Sequence, residues 1–170
     1  MIIRKATNAD IDDMMACYEA ARQLMRASGN HSQWTNGYPS REQIARDIAC
    51  GVSYVGEDTD GKVAMAFAFI IGDDPTYTVI KDGQWLNSLP YGTIHRLCSN
   101  GKYHGMLRAC VDFCMKQNDN IRLDTHADNS IMRHAAESLG FKRCGIIRCM
   151  DGGPRIAYQK YCKSRFDNKC

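Results

Sequence analysis

No apolar run in the sequence is long enough to cross a bilayer: Val63–Ile71, the longest, falls far short of the roughly 20 residues a spanning helix needs. No secretory leader is visible either, because Met1 leads directly into Ile2-Ile3-Arg4-Lys5 and then into a polar stretch, so none is expected. There is no Cys-x-x-Cys pair, no low-complexity tract, and proline is scarce, with only four residues. Neither sign of charge dominates, since Lys and Arg are interspersed with Asp and Glu and the net charge is only +3. These absences argue against a membrane or a nucleic acid as partner and against a disordered or fibrous chain. The nine cysteines are odd in number and, with no leader expected, read as reduced thiols of a cytoplasmic protein. Cys110 and Cys114 sit at the spacing of one buried helix face, and His95 with Cys98 is too sparse to be a ligand set, so no metal is expected.

What is present is an ordinary globular composition, 44% hydrophobic and 24% charged over 170 residues, which is enough for one domain. Residues 2–6 read as a first strand. Thr7 and Asp10 have capping spacing, and Ile11, Met14, Met15, Tyr18 and Met25 follow at helical spacing towards Gly29. A polar and aromatic linker covers residues 30–39. Ser40 and Gln43 then cap a second helix with Ile44 and Ile48 inward and Gly51 as its stop. Residues 52–55 form a strand, residues 58–61 a turn, and Val63–Ile71 is apolar on both faces, as a covered central strand would be. Residues 72–91 are irregular and long for a connection, which makes them a functional loop or a small hairpin.

Residues 92–98 are the next strand, followed by a glycine-bearing turn and a helix with Leu107, Cys110, Val111 and Cys114 on its apolar face. Ile121, Leu123 and Thr125 alternate with Arg122, Asp124 and His126 as a strand of period two. Asn129 or Asp128 caps a helix carrying Met132, Ala135, Ala136 and Leu139, and Gly140 stops it. Residues 141–148 and 155–161 are two last strands joined by the Asp151-Gly152-Gly153-Pro154 turn. The order β-α-α-β-β-β-α-β-α-β-β predicts a single α/β domain over residues 1–170: a mixed sheet with helices on both faces.

Two segments carry chemistry. In the first, the strand Thr93-Ile94-His95-Arg96-Leu97-Cys98 runs into Ser99-Asn100-Gly101-Lys102-Tyr103-His104-Gly105 and a helix. Such a turn aims several free amides and a helix dipole at one point, an arrangement that holds a pyrophosphate. In the second, Asn129 precedes a helix and Leu139-Gly140-Phe141 ends it, with Phe141 twelve residues after Asn129. The pattern of strand, Asn, helix, Leu-Gly-Phe, strand resembles the second cofactor motif of the GNAT superfamily of N-acetyltransferases. The glycine turn sits where that family keeps its pyrophosphate loop, and the resemblance covers nearly the whole chain.

The resemblance implies a mostly antiparallel sheet of about seven strands. It also implies acetyl-CoA as cosubstrate and direct transfer of the acetyl group to a primary amine of a small molecule or peptide. The backbone of Leu97, Cys98 and Ser99 is then expected along the pantetheine arm. Amides around Asn100, Gly101, Lys102, Tyr103, His104, Gly105 and Met106 are expected at the pyrophosphate, and Asn129 and Arg133 at the outer arm. Two central strands of the family splay apart at the thioester. Two departures stand out. The loop lacks the family's usual Arg or Gln and closely spaced glycines, leaving Lys102 to supply charge and Gly101 and Gly105 the turn. The position of the usual acid, a Tyr seven residues after the Asn, is Ala136. That absence keeps open an alternative: a catalytically silent acyl-CoA-binding sensor or structural protein. Oligomeric state is open too, although many relatives are homodimers.

Acetyl transfer needs a neutral amine, hence a base. His95, beside the expected thioester, is the candidate base, with Asp124 and His126 as an orienting or substrate-binding pair and Tyr158 as candidate acid. Asn30, Gln33, Trp34 and Tyr38, between the first two helices, are candidate acceptor contacts, because such side chains bind by both face and hydrogen bond. Asp73 and Asp74 read as turn caps, with attraction of an ammonium as the alternative.

Overall fold

The computed structural model describes residues 1–150 and 152–162, so Asp151 of the expected last turn and Cys170 lie outside the described residues. Seven strands form one sheet: β1 Ile2–Lys5, β2 Ser53–Glu57, β3 Val63–Ile71, β4 Gly92–Ser99, β5 Asn120–Thr125, β6 Lys142–Arg148 and β7 Pro154–Tyr161. Their order across the sheet is β1-β2-β3-β4-β5-β7-β6. Every neighbouring pair is antiparallel except β4 and β5. The helices are α1 Ile11–Ala27, α2 Arg41–Ala49, α3 Met106–Cys114 and α4 Ser130–Ser138. Element order, sheet type and the mixed topology match what the sequence predicts.

The double-sided apolar pattern of β3 explains the layering. Met65, Phe67 and Phe69 pack with Leu107, Cys110, Val111 and Cys114 of α3 on one face. Ala66 packs with Ile11, Met14, Cys17 and Tyr18 of α1 on the other, and alternation puts Ala64 and Ala68 on that same face. Small residues let α1 lie close to the strands, and large ones fill the wider gap beneath α3. Cys98, Cys110 and Cys114 are free thiols packed as core residues.

Residues 72–91 form no hairpin, and Asp74, Pro75 and Thr76 of this loop reach the cleft described below. The segment forms a cover over the part of the sheet that α1 and α2 do not reach. Tyr77, stacked on Trp85 and Tyr91, closes a third small core with Ile147 and Ala157. The Arg122 guanidinium lies between the rings of Trp85 and Tyr91, 4.0 and 3.7 Å from their centroids. Buried Gln159 accepts from the Leu86 amide at 2.8 Å and donates to Asn120 and Asn87. Lys81 and Ile146 exchange two backbone hydrogen bonds of 2.8 Å. A Cβ at Gly83 would overlap the Cys144 carbonyl, so glycine lets the cover touch β6.

The parallel seam is short. β4 and β5 pair only at Gly92–Ile121 and Thr93–Arg122, and beyond Thr93 the strands part. On its other side β4 stays on β3, with one extra residue between the pairs Ala68–His95 and Ala66–Cys98. Arg96 carries this bulge, at a φ of 53° that few residues other than glycine adopt. The seam's first residue is fixed by packing, because a Cβ on Gly92 would overlap the buried Phe69 ring. Replacing Gly92 by Ala is therefore expected to destabilise the protein by about 2 kcal/mol. Urea unfolding would show a lower midpoint at an unchanged slope.

Candidate active site

Where β4 and β5 diverge, a cleft of about 1300 Å³ opens between them. One bank is β4 from Ile94 to Ser99, and the other is Leu123, Asp124 and Thr125 of β5. The residue 28–38 segment, Asp74, the first turns of α3 and α4, and Cys149, Met150 and Arg155 close its ends.

The β4 bank exposes backbone. The Asn100 amide bonds the Ala64 carbonyl at 3.0 Å, and Cys98 is the partner of Ala66. By antiparallel alternation Cys98 faces β3 with its peptide groups, whereas Leu97 and Ser99 turn theirs away, into the cleft. Of the three strand residues expected along a cofactor arm, two thus offer backbone, and Cys98 is buried with its thiol against α1.

The loop after β4 makes an anion cradle. Gly101 and Gly105 have φ of 75° and 76°, and Gly105 is the N-cap of α3 with no side chain to satisfy the first-turn amides. Gly101, Tyr103, His104, Gly105 and Met106 line the cleft, together with Arg108, which the motif comparison does not single out. Its signal in the sequence is a basic residue in the first turn of the helix behind a glycine loop. Asn100 and Lys102 are not part of the lining, and the Lys102 amide is taken by Asn100 Oδ1 at 3.1 Å. Tyr103 donates its hydroxyl to Asp58 Oδ2 at 3.0 Å, tying the loop to the β2–β3 turn. The donors fit a phosphate-bearing group, and next to this loop it is Arg108 rather than Lys102 that lines the cleft.

His95 lies in the cleft with Nε2 2.7 Å from Asp74 Oδ2. Asp74 Oδ1 accepts from the Thr76 amide and hydroxyl at 2.8 and 2.6 Å, so this one carboxylate caps a turn and also grips the histidine. Burial pushes the Asp74 carboxyl up, but the bonds from His95 and Thr76 outweigh it and bring it down to about 2. Asp74 is therefore an acceptor at neutral pH, Nε2 of His95 must carry a proton, and in the neutral ring Nδ1 is the basic nitrogen. From the sequence Asp74 reads only as a turn cap. The pairing is concealed there because His95 lies next to the bulge and Asp74 beyond the last β3–β4 pair, Ile71–Gly92.

The other predicted residues divide. Asp124 lines the cleft, but its oxygens hold the Tyr77 hydroxyl at 2.7 Å and the Cys149 thiol at 3.5 Å. Burial and then the Asp124 charge push the Tyr77 hydroxyl far up, so it stays a donor. His126 does not pair with Asp124. Its Nδ1 accepts the Asp128 amide at 3.2 Å in the turn before α4, outside the cleft lining. Tyr158, expected as the acid, is fully buried, donates its hydroxyl to Glu137 at 3.0 Å and is not part of the cleft lining. Arg133 turns to the Ala127 carbonyl at 2.9 Å and is also outside the lining. Ala136 is packed in the core.

Asn129 caps α4 by accepting the Met132 amide at 3.1 Å, and its Nδ2 donates to Gln33 Oε1 at 3.1 Å. Asn30 is buried and bonded to Gln33, and of the residues predicted in that segment Gln33, Trp34 and Tyr38 line the cleft. Next to Tyr38, Arg96 forms an ion pair with buried Asp47 of α2, its Nη2 2.7 Å from Oδ2. Nothing in the sequence brings a strand arginine to α2, so this pair emerges only from the fold. Among the described residues no group of His, Cys, Asp or Glu could hold a metal ion, and no helix is long and apolar enough to cross a membrane.

The folded Asp74 carboxyl lies below its ordinary value of 3.8, so its stabilising effect is full above about pH 4 and is lost as pH falls through about 2. Asp74→Asn should cost about 2 kcal/mol at pH 7. The gap to wild type should close between pH 4 and 2 in denaturant titrations.

No protein-family model and no curated protein matches the chain. Solved structures do. A GNAT-family acetyltransferase from Streptococcus agalactiae is 33% identical over 96% of each chain, with a TM-score of 0.87. A GNAT-family acetyltransferase from Listeria monocytogenes is 20% identical, covering 95% of this chain and 94% of its own, with a TM-score of 0.69. A ribosomal-protein-alanine N-acetyltransferase from Brucella melitensis shares the fold at 16% identity, over 95% of this chain and all of its own, with a TM-score of 0.63. With a third of its residues shared over nearly its full length, and the split seam and glycine cradle in place, the chain belongs to the GNAT family of acetyltransferases.

Proposed function

We propose that the protein is an N-acetyltransferase of the cytoplasm that passes the acetyl group of acetyl-CoA directly to a primary amine, with His95 as general base. The observation that carries this reading is the His95–Asp74 contact of 2.7 Å inside the cleft, on the strand that parts from β5. The cradle from Gly101 to Arg108 would take the pyrophosphate, and the backbone of Leu97 and Ser99 the pantetheine arm. Trp34, Tyr38 and the Arg96–Asp47 pair would bound the acceptor pocket. A primary ammonium must lose a proton before its nitrogen can attack the thioester carbonyl, and Nδ1 of His95 receives it directly or through a water. Asp74 holds the ring in the tautomer that leaves Nδ1 basic and compensates the imidazolium charge. The nitrogen–carbon bond forms, the carbon–sulfur bond breaks, and the second proton of the attacking nitrogen passes to the leaving sulfur, directly or through water, so that CoA departs as its thiol. With Ala136 in the core and Tyr158 on Glu137, no side chain is assigned to protonate the sulfur.

The test is release of free CoA, followed with a thiol reagent, from acetyl-CoA and a panel of amines, peptides and aminoglycosides. Turnover with some acceptor supports the enzyme. Tight CoA binding without turnover on a broad panel would instead support a silent acyl-CoA-binding protein, and absence of CoA binding would sink both. His95→Ala should lower kcat/KM about 100-fold at pH 7 and leave CoA affinity within twofold. The deficit should shrink towards pH 10, where a primary amine deprotonates unaided. An unchanged rate at pH 7 rejects His95 as base.

A further inference from the structure

The side chain of Gln33 gathers three elements at one atom. Its Oε1 accepts from Asn30 Nδ2 at 3.0 Å and Asn129 Nδ2 at 3.1 Å, and Thr125 Oγ1 stands at 3.5 Å. The identity of that atom follows from the neighbours. Asn129 Oδ1 is committed to the Met132 amide, and Asn30 Oδ1 accepts the Gln33 amide at 3.3 Å. Both asparagines must therefore present nitrogen, and only an oxygen of Gln33 can meet two donors. Thr125 ends β5, Asn129 caps α4, and Asn30 and Gln33 belong to the segment after α1. The bond thus ties the α1–α2 connection to the far bank of the cleft. The next residue, Trp34, sits edge-on to Tyr18 of α1 at 5.6 Å and lines the cleft with Tyr38.

We propose that Gln33 is a positioning residue rather than an acceptor contact: its carbonyl oxygen latches the acceptor-side loop to the N-cap of α4, so that the acceptor pocket and the cofactor side of the cleft are held as one unit. The proposal rests on the acetyltransferase reading for its kinetic consequence and on the hydrogen bonds alone for its structural one. All three partners are donors, so a carboxylate can replace the amide. Glu at this position keeps every bond, and Leu, similar in size, keeps none.

Three proteins are compared: wild type, Gln33→Leu and Gln33→Glu. For Gln33→Leu, KM for the acceptor found in the panel should rise about tenfold, with kcat changed less than twofold and CoA affinity nearly unchanged. Gln33→Glu should restore KM to within about twofold of wild type. Backbone hydrogen exchange of residues 30–38, measured on the full chain, should quicken in Gln33→Leu and stay slow in Gln33→Glu. If Gln33→Glu is as impaired as Gln33→Leu, the amide nitrogen is what matters and the latch is overturned. Equal loop exchange in all three proteins overturns it as well. Loop exchange needs neither acceptor nor CoA, so the latch stands or falls on that measurement even if the acetyltransferase reading fails.

Discussion

The site depends on how few residues β4 and β5 share. Antiparallel neighbours elsewhere pair along most of their length, but this parallel seam holds at two positions and then fails. The physical reasons are local. Gly92 against the Phe69 ring fixes where the seam begins, and the bulge at Arg96 bends β4 while it stays bonded to β3. Beyond Thr93 the peptide groups of β4 have lost one neighbour. In a closed sheet such groups would be a liability, because unpaired backbone polar groups are costly when buried. Here they become one wall of a cleft that a linear, amide-bearing molecule can line.

The cover formed by residues 72–91 links that backbone feature to chemistry. Among the described residues no helix crosses over β5, β7 and β6 on the face of α1, and an aromatic stack with a sandwiched arginine does the covering instead. Because the cover is bonded to the sheet through Gln159, Asn120 and the Lys81–Ile146 bridge, its first residues are held where β3 ends. Asp74 stands there, next to His95. A carboxylate on a free loop would lose much of the pair to solvent screening and side-chain entropy. On an anchored one it can fix a tautomer. The same logic applies across the cleft, where Asn129 caps α4 and holds Gln33 with the other end of its amide.

The fold is largely legible in the sequence, because its signals are local. Capping pairs such as Ser40 with Gln43, the stops at Gly51 and Gly140, and the alternation of Ile121, Leu123 and Thr125 mark elements without knowledge of their neighbours. The glycine turn and Asn129 are legible for the same reason. Contacts between distant elements are not. Asp74 looks like a turn cap, and it is one, but its second oxygen meets a strand 21 residues away. Tyr158 and His126 look available because period-two patterning gives a face without saying what already fills it; Glu137 and the Asp128 amide do. Arg96 escapes notice because a bulge breaks the alternation from which its direction would be read.

If the parted seam receives acetyl-CoA and presents its thioester to His95, a crystal structure of the protein with bound CoA will show it. The pyrophosphate should then lie over the amides between Gly101 and Arg108, with the pantetheine arm bonded to Leu97 and Ser99. The sulfur should sit between β4 and β5 on the side of His95. CoA bound elsewhere, or with its sulfur on the Tyr158 face of the sheet, would contradict this mechanism.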